Sequence, residues 1–485
     1  VAGTVAAGTV ANGTARASAI APGHSCAGRD ALSLAGAEGG GLVVHPFHRD
    51  FMTARIVSVV LGIGLVWAAG SATAGENWTQ WRGANRDGVA IDVAPRKAWP
   101  QELQLKWQIE VGLGHSSPIV AGDKVFIFTR QDDKEVVRAV SQADGKEIWS
   151  HNYAAPYEVS PPAAGHGKGP KSTPVVADGR LFTLGIGGIL SCWDAANGEL
   201  KWRKEFSKQF KHTSPLYGTA MSPLVDHGRL IVHVGGHDSG ALVALDVADG
   251  EVAWTWDGDG PAYSSPIIAE LAGTRQVITQ TQNACVGIAA ENGELLWKIP
   301  YKTEFDQNSV TPVVYEQSVI CSGYNRGIDR YRIEKQGEEW LTDKIWENKE
   351  VSLYMSTPVT SGQRLFGFSH RQKGQLFAID ITTGRTLWTG EGRLADNAAL
   401  VRGGDVLWAL TTQAELLVFR DSDKQYEQLA RYKMGDTPTW SHPVIATGSV
   451  IVKDETKLTK WKLPVPAAPA AANSDRAVSS RGGRG

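Results

Sequence analysis

The sequence predicts an all-β chain folded as an eight-bladed β-propeller of four-stranded antiparallel blades. Three regularities predict it. The first is a tryptophan four residues after a turn glycine: Gly145 leads to Trp149, Gly198 to Trp202, Gly250 to Trp254, Gly293 to Trp297 and Gly384 to Trp388. Ten residues before each ring stands a small residue: Ala139, Cys192, Ala244, Gly287 or Ala378. A large ring carries much burial per residue, so each tryptophan is expected to lie flat over the small residue of a neighbouring unit. The second regularity is Ser/Thr-Pro, two apolar residues, a polar turn and alternating apolar residues, as in SSPIVAGDKVFIF from Ser116 and STPVVADGRLFTL from Ser172. The third is the period. Eight such starts, at Ser116, Ser172, Met221, Ser264, Val310, Ser356, Ala398 and Ser441, stand 42 to 56 residues apart. An array of strands and hairpins at that period is a propeller signature.

The elements follow in chain order. Residues 1–51 are rich in Ala, Gly and Val and contain no Met, and they are expected to be upstream or mis-called sequence. Residues 52–74 carry Arg55, an apolar run from Ile56 to Ala69 and the small-residue site Ala72-Thr73-Ala74, the features of a secretory signal peptide. That run is shorter than a membrane span needs. Without a twin Arg or a Cys at the cleavage site, the expectation is Sec export to the periplasm or another extracytoplasmic space. The propeller is expected over 75–465. Leu103 to Val111, with Trp107, has no blade of its own and is expected to pair with the strand holding Trp461, closing the ring as the eighth outer strand. Closure removes sheet edges that would recruit other chains.

In the first blade SPIVAG is the inner strand, KVFIFT the second, VVRAVSQ the third and KEIWSHN the outer one. Proline opens the inner strand, where a missing N–H costs least. The Asp-Gly and Asn-Gly turns before the tryptophans are expected to put both central residues at positive φ, the preferred two-residue hairpin. The fifth and seventh blades lack the tryptophan pattern in recognisable form. Residues 466–485 are low in complexity and expected to be disordered.

Charge is close to balanced, with 49 Lys and Arg against 51 Asp and Glu, a net −2. No basic face is evident, which argues against nucleic acid. Cys192, Cys285 and Cys321 fall in predicted strands and read as buried free thiols, and Cys26 precedes the signal. No Walker loop, metalloprotease helix or Gly-x-Ser-x-Gly elbow occurs.

Propellers bind at the mouth of the central channel, which the loops entering the inner strands line. The candidates there are His115, His166, Lys171, His212, Tyr263, Asn308, Tyr354 and His442, with Lys168, Tyr217, Asn397 and Trp440 beside them. The long loop from His151 to Ser172 has glycines and lysines that could cradle an anion. His115, His212 and His442 are three imidazoles near one axis and could meet at a metal. Asp132-Asp133 and Asp306-Gln307-Asn308 offer oxygens to Ca²⁺. The tryptophans, Trp107, Trp149, Trp202, Trp254, Trp297 and Trp388, read as architectural. No residue is assigned a catalytic role.

ALDVADGEVAW from Ala244 and AIDITTGRTLW from Ala378 resemble the tryptophan-docking repeat of quinoprotein-type propellers. The opening NWTQWRGANRDGVA from Asn77 resembles exported, PQQ-binding-like propellers of planctomycete-type bacteria. That resemblance covers roughly residues 77–463. It implies one of two functions. One is a non-catalytic scaffold that binds a protein or a small ligand at the channel mouth or blade faces, as in the propeller lipoprotein of the outer-membrane barrel-assembly machinery. The other is a dehydrogenase oxidising an alcohol or sugar with pyrroloquinoline quinone (PQQ) and Ca²⁺. Many alcohol-oxidising members carry adjacent cysteines above the quinone, and this chain has none. The reading that follows is a monomeric binding propeller without a membrane span in the mature chain.

Overall fold

In a computed structural model, residues 77–91, 93, 98–446 and 448–463 are described. The expected upstream segment, signal peptide and tail lie outside them. The described chain forms eight four-stranded antiparallel sheets. Blade 1 runs Ile119–Ala121, Lys124–Gln131, Lys134–Ser141 and Glu147–Ala154, from the inner strand to the outer. Blades 2 to 7 span 175–205, 224–256, 267–300, 313–348, 359–389 and 398–433. Blade 8 has inner strand Val444–Ala446, then Ser449–Lys453 and Lys457–Lys462. Its outer strand is Gln104–Glu110, paired antiparallel to Lys457–Lys462, so the ring closes as the sequence implies. Inner strands are short and the middle strands read as continuous apolar runs because both their faces are covered. Among the described residues no helix is long and apolar enough to cross a membrane.

The tryptophan repeat works differently from the sequence expectation. Each small residue is the cross-strand partner of the tryptophan in its own blade: Ala139 faces Trp149, Cys192 faces Trp202, Ala244 faces Trp254 and Ala378 faces Trp388. A β-bulge beside every such pair sets the ten-residue offset. The neighbouring blade supplies the turn glycine instead. A Cβ on Gly198 of blade 2 would lie 2.6 Å from the Trp149 ring of blade 1, and one on Gly293 of blade 4 would lie 2.7 Å from Trp254 of blade 3. The indole N–H then donates to a carbonyl of that same turn: Trp107 to Gln142 O at 3.1 Å, Trp149 to Ala195 O at 3.3 Å, Trp202 to Val247 O at 3.2 Å and Trp254 to Ala290 O at 3.0 Å. Blade 5 contributes a ring the repeat did not reveal: Trp346 donates to Ile381 O at 2.7 Å and covers Gly384. Trp202 is half-buried, whereas Trp107, Trp149, Trp254, Trp297 and Trp388 are buried.

The turn conformation also departs from expectation. At these turns glycine alone takes positive φ, from 74° to 78°, and the preceding Asp, Asn or Thr does not. That residue instead accepts a backbone N–H two positions on, as Asn197 Oδ1 does from Glu199 at 2.9 Å. The two-residue turns with both residues at positive φ lie between inner and second strands, at Asp178-Gly179 and His227-Gly228.

Candidate functional site

The Ser/Thr-Pro motif builds the rim of the channel. The backbone N–H just before each proline donates to the hydroxyl at the same place in the next blade. Ser117 donates to Thr173 at 3.1 Å, Thr173 to Ser222 at 3.0 Å, Ser222 to Ser265 at 2.9 Å, Ser265 to Thr311 at 3.0 Å and Thr311 to Thr357 at 3.2 Å. His442 N–H donates to Ser117 Oγ at 2.8 Å, carrying the belt across the ring closure. Blade 7 has Ala399, without a hydroxyl, at this position, and the N–H of the preceding Ala398 donates back to Ser356 Oγ. The hydroxyl answers a buried N–H that the short inner strand leaves without a ladder partner.

Beneath the rim, residues 77–91 thread the channel and stopper it. Trp78 forms a bridge with Val120 of blade 1, Thr79 O accepts from Val176 of blade 2, and Val89 pairs with Arg402 of blade 7. Two buried arginines pin the segment from side to side. Arg82 donates to Thr357 O at 2.7 Å and Pro358 O at 2.6 Å in blade 6, and Arg86 donates to Ser222 O at 2.9 Å and Pro223 O at 2.8 Å in blade 3. Burial lowers the guanidinium pKa values to about 10 and about 9. Trp81 stands on top, with both guanidinium carbons 5.5 Å from its ring centroid. The channel is therefore a blind cup with a tryptophan in its floor.

The cup encloses about 170 Å³. Its wall is aromatic: His166 lies 5.3 Å from Trp440 and 6.1 Å from Tyr217, Tyr217 lies 5.8 Å from Tyr263, and His442 lies 5.4 Å from Trp81. Lys171 is the ammonium of the lining. Burial brings its pKa to about 8, and it donates to Tyr217 O at 2.5 Å. Burial, with the charge of Lys171 second, holds His115 at about 3, and burial with Arg82 nearby holds His442 at about 3. Both rings are neutral at physiological pH. His115 Nε2 donates to His166 O at 2.9 Å, which leaves Nδ1 as its acceptor.

Five sequence candidates line this cup: His115, His166, Lys171, Tyr263 and His442. Three do not. Asn308 is buried and spends its amide on Thr281 O, Gln282 O and Tyr301 O, so it splints a turn. His212 is exposed and lies outside the lining, so the three-imidazole group does not assemble. Tyr354 sits behind the wall and donates to Gln307 Oε1 at 2.6 Å. Sequence reasoning missed Trp81 and the belt hydroxyls. The signal for the belt was present in the repeated Ser/Thr before proline. For Trp81 none was, because nothing in NWTQWRG says that it enters a channel.

A family model described as outer membrane protein assembly factor BamB matches residues 132–390, just over half the chain. The chain belongs to this family. Among curated relatives, the assembly factor BamB of Shewanella oneidensis is 27% identical over 229 residues, covering 45% of this chain and 56% of the relative. That of Yersinia pestis is 23% identical over 369 residues, 72% of this chain and 85% of the relative. The chain thus spans little more than half the length of the first of these. Among solved structures, BamB from Moraxella catarrhalis superposes with a TM-score of 0.54 at 14% identity, covering 74% of this chain and 98% of that one. The quinohemoprotein alcohol dehydrogenase ADHIIG from Pseudomonas putida HK5 gives 0.56 at 14% identity, with 82% and 84% covered. These two likenesses show the shared propeller fold.

The cup of this family member does not suit a PQQ–Ca²⁺ pair. Ca²⁺ takes six to eight oxygens, mostly carboxylate and carbonyl. The described lining has no carboxylate, and its one side-chain amide, Gln307, is engaged by Tyr354. Asp133 pairs with Arg130 at 3.2 Å and Asp306 with Lys302 at 3.0 Å, and neither is a lining residue. Among the described residues no group of three metal-ligating side chains forms.

Proposed function

We propose that this chain is a non-catalytic binding propeller that works outside the cytoplasm and docks a partner protein at its mouth face. The observation that carries the reading is the composition of the blind cup. Rings, hydroxyls and one ammonium make a recognition surface, and two of the three lining imidazoles, His115 and His442, with pKa values near 3 are poor proton carriers at neutral pH. Aromatic anchors of this kind dominate binding energy in protein interfaces. The relatives' description as outer membrane protein assembly factors supports a role in assembling envelope proteins. Export would follow from the signal peptide expected at 52–74. An aromatic or carboxylate group on the partner fits the cup, with Lys171 as counter-charge.

The test is cross-linking and affinity capture from the native envelope with the wild type and with a His166→Ala/Trp440→Ala double variant. The expected result is a discrete partner that the wild type retains and the variant loses at least tenfold. Equal capture by both would overturn the mouth as the docking face. In parallel, PQQ and Ca²⁺ are titrated into the purified protein. Bound quinone absorbance together with dye-linked alcohol oxidation would replace this reading with the dehydrogenase one.

A further inference from the structure

Each blade's outer tryptophan docks on the next blade's turn at six of the eight junctions within the described residues. The junctions of blades 4 with 5 and 7 with 8 lack the dock. Between blades 7 and 8 another element crosses: Trp99 packs edge-on against Trp408, and Tyr432 Oη donates to Pro100 O at 2.9 Å. Between blades 4 and 5 the reason for the loss is visible. Blade 5 joins its third and outer strands by the longer hairpin Gly327–Gln336 and Glu339–Asn348, without the tryptophan-motif turn and its docking glycine. Trp297 therefore has no turn carbonyl to meet: it covers Gly287 of its own blade, donates to Gln276 Oε1 at 2.6 Å and packs in one cluster with Val319 and Ile333 of blade 5.

At this undocked junction sit two of the three cysteines in the described chain. Cys285 lies on the third strand of blade 4 and Cys321 on the second strand of blade 5, 36 residues apart in sequence. Both are fully buried in one apolar cluster with Trp297, Ile299, Tyr301 and Val319. Each packs into that cluster from its own side of the junction, and Cys285, after burial, is what holds the Cys321 thiol well above its ordinary value. Cys192 is buried in a different cluster, in blade 2. The sequence reading of three unrelated thiols did not foresee this pairing, because the two cysteines belong to different strands of different blades.

We propose that Cys285 and Cys321 are a disulfide site that staples blade 4 to blade 5 where the tryptophan dock is missing. The bond forms by exchange with a donor disulfide, either a glutathione-type small disulfide or an oxidoreductase. The thiolate of one cysteine attacks the donor and releases one donor thiol. The second cysteine then attacks the mixed disulfide, forms the Sγ–Sγ bond and releases the other. The two cysteines lose two electrons and two protons in all, and the donor disulfide gains them as two thiols. Both sulfurs are closed to solvent in the folded ring, so exchange takes place before the two blades close together. The linkage constrains a long loop of the unfolded chain, and that is the main route by which disulfides stabilise.

The test is refolding of the denatured, reduced chain in glutathione/glutathione disulfide buffer, which does not depend on where the protein resides or what it binds. Free thiols are blocked with iodoacetamide in denaturant, then bonded ones are reduced and labelled with N-ethylmaleimide, and the labels are mapped by peptide mass spectrometry. The expected pattern is iodoacetamide on Cys192 and N-ethylmaleimide on Cys285 and Cys321, with a linked 285–321 peptide before reduction. Reduction should lower the melting temperature of the wild type by several degrees. A Cys192→Ser variant should keep the linked peptide, and Cys321→Ser should return Cys285 to the first label. Iodoacetamide on both Cys285 and Cys321 in the soluble refolded wild type would overturn the proposal, as would a bond from either of them to Cys192.

Discussion

His442 shows how one residue joins architecture to chemistry in this ring. Its backbone N–H completes the hydroxyl belt at Ser117, while its imidazole is buried against Trp81. Burial holds that ring, like His115, at about 3, against an ordinary histidine value of 6.5. The unfolded chain therefore binds protons between about pH 6.5 and 3 that the folded chain refuses. Stability from these groups is complete above pH 6.5 and is lost as the pH falls toward 3. A series of urea midpoints from pH 7 to 4 should fall with pH. In His442→Gln, which keeps the belt N–H, the fall should be shallower. A wild type and variant with parallel curves would show that His442 is not held neutral by its burial.

At the scale of the element, the repeat is a dock between blades. A glycine at positive φ presents a bare Cα to the preceding blade's indole, and the indole N–H satisfies a turn carbonyl. Ring and turn thus fix both the distance and the rotation between neighbouring sheets. Trp149→Ala removes a buried ring and leaves Ala195 O without its donor. Chemical denaturation should show a loss of roughly 3–5 kcal/mol, the range for large aromatic truncations. Trp202→Ala, at a half-buried ring, should cost less, and Gly198→Ala should also destabilise, because its Cβ would strike the Trp149 ring. A Trp149→Ala protein as stable as the wild type would remove the dock from the account.

For the whole molecule, residues 77–91 and the strand Gln104–Glu110 do two things between them. They stopper the channel through Arg82 and Arg86, and they supply the outer strand of blade 8. Without them Lys457–Lys462 becomes an open edge, the inner carbonyls of blades 3 and 6 lose their donors, and the cup loses its floor. An unpaired edge recruits other strands. Deleting 77–111 should give an aggregating or unfolded product by light scattering and circular dichroism. A soluble monomer with unchanged melting temperature would show that the ring does not need this closure.

By itself the sequence determined the blade count, the strand order within a blade and the closing role of Trp107. Each of these is written in local periodicity: the Ser/Thr-Pro start, the turn glycine and the tryptophan recur at a fixed spacing whatever the neighbours do. Five of its eight mouth candidates line the cup, because the loops before inner strands must converge on the axis. The sequence could not say which partner a tryptophan meets. The small residue ten positions back is a cross-strand neighbour in the same sheet, and the docking glycine belongs to the next repeat, so contact crosses a distance the pattern does not encode. Trp346 escaped notice because a longer hairpin hides its spacing. Asn308 and His212 stood in the right loops, yet backbone carbonyls claimed one side chain and solvent the other. The channel stopper, the neutral histidines and the meeting of Cys285 with Cys321 were decided by tertiary structure alone. Burial and contact between distant segments arise only once eight sheets close into a ring.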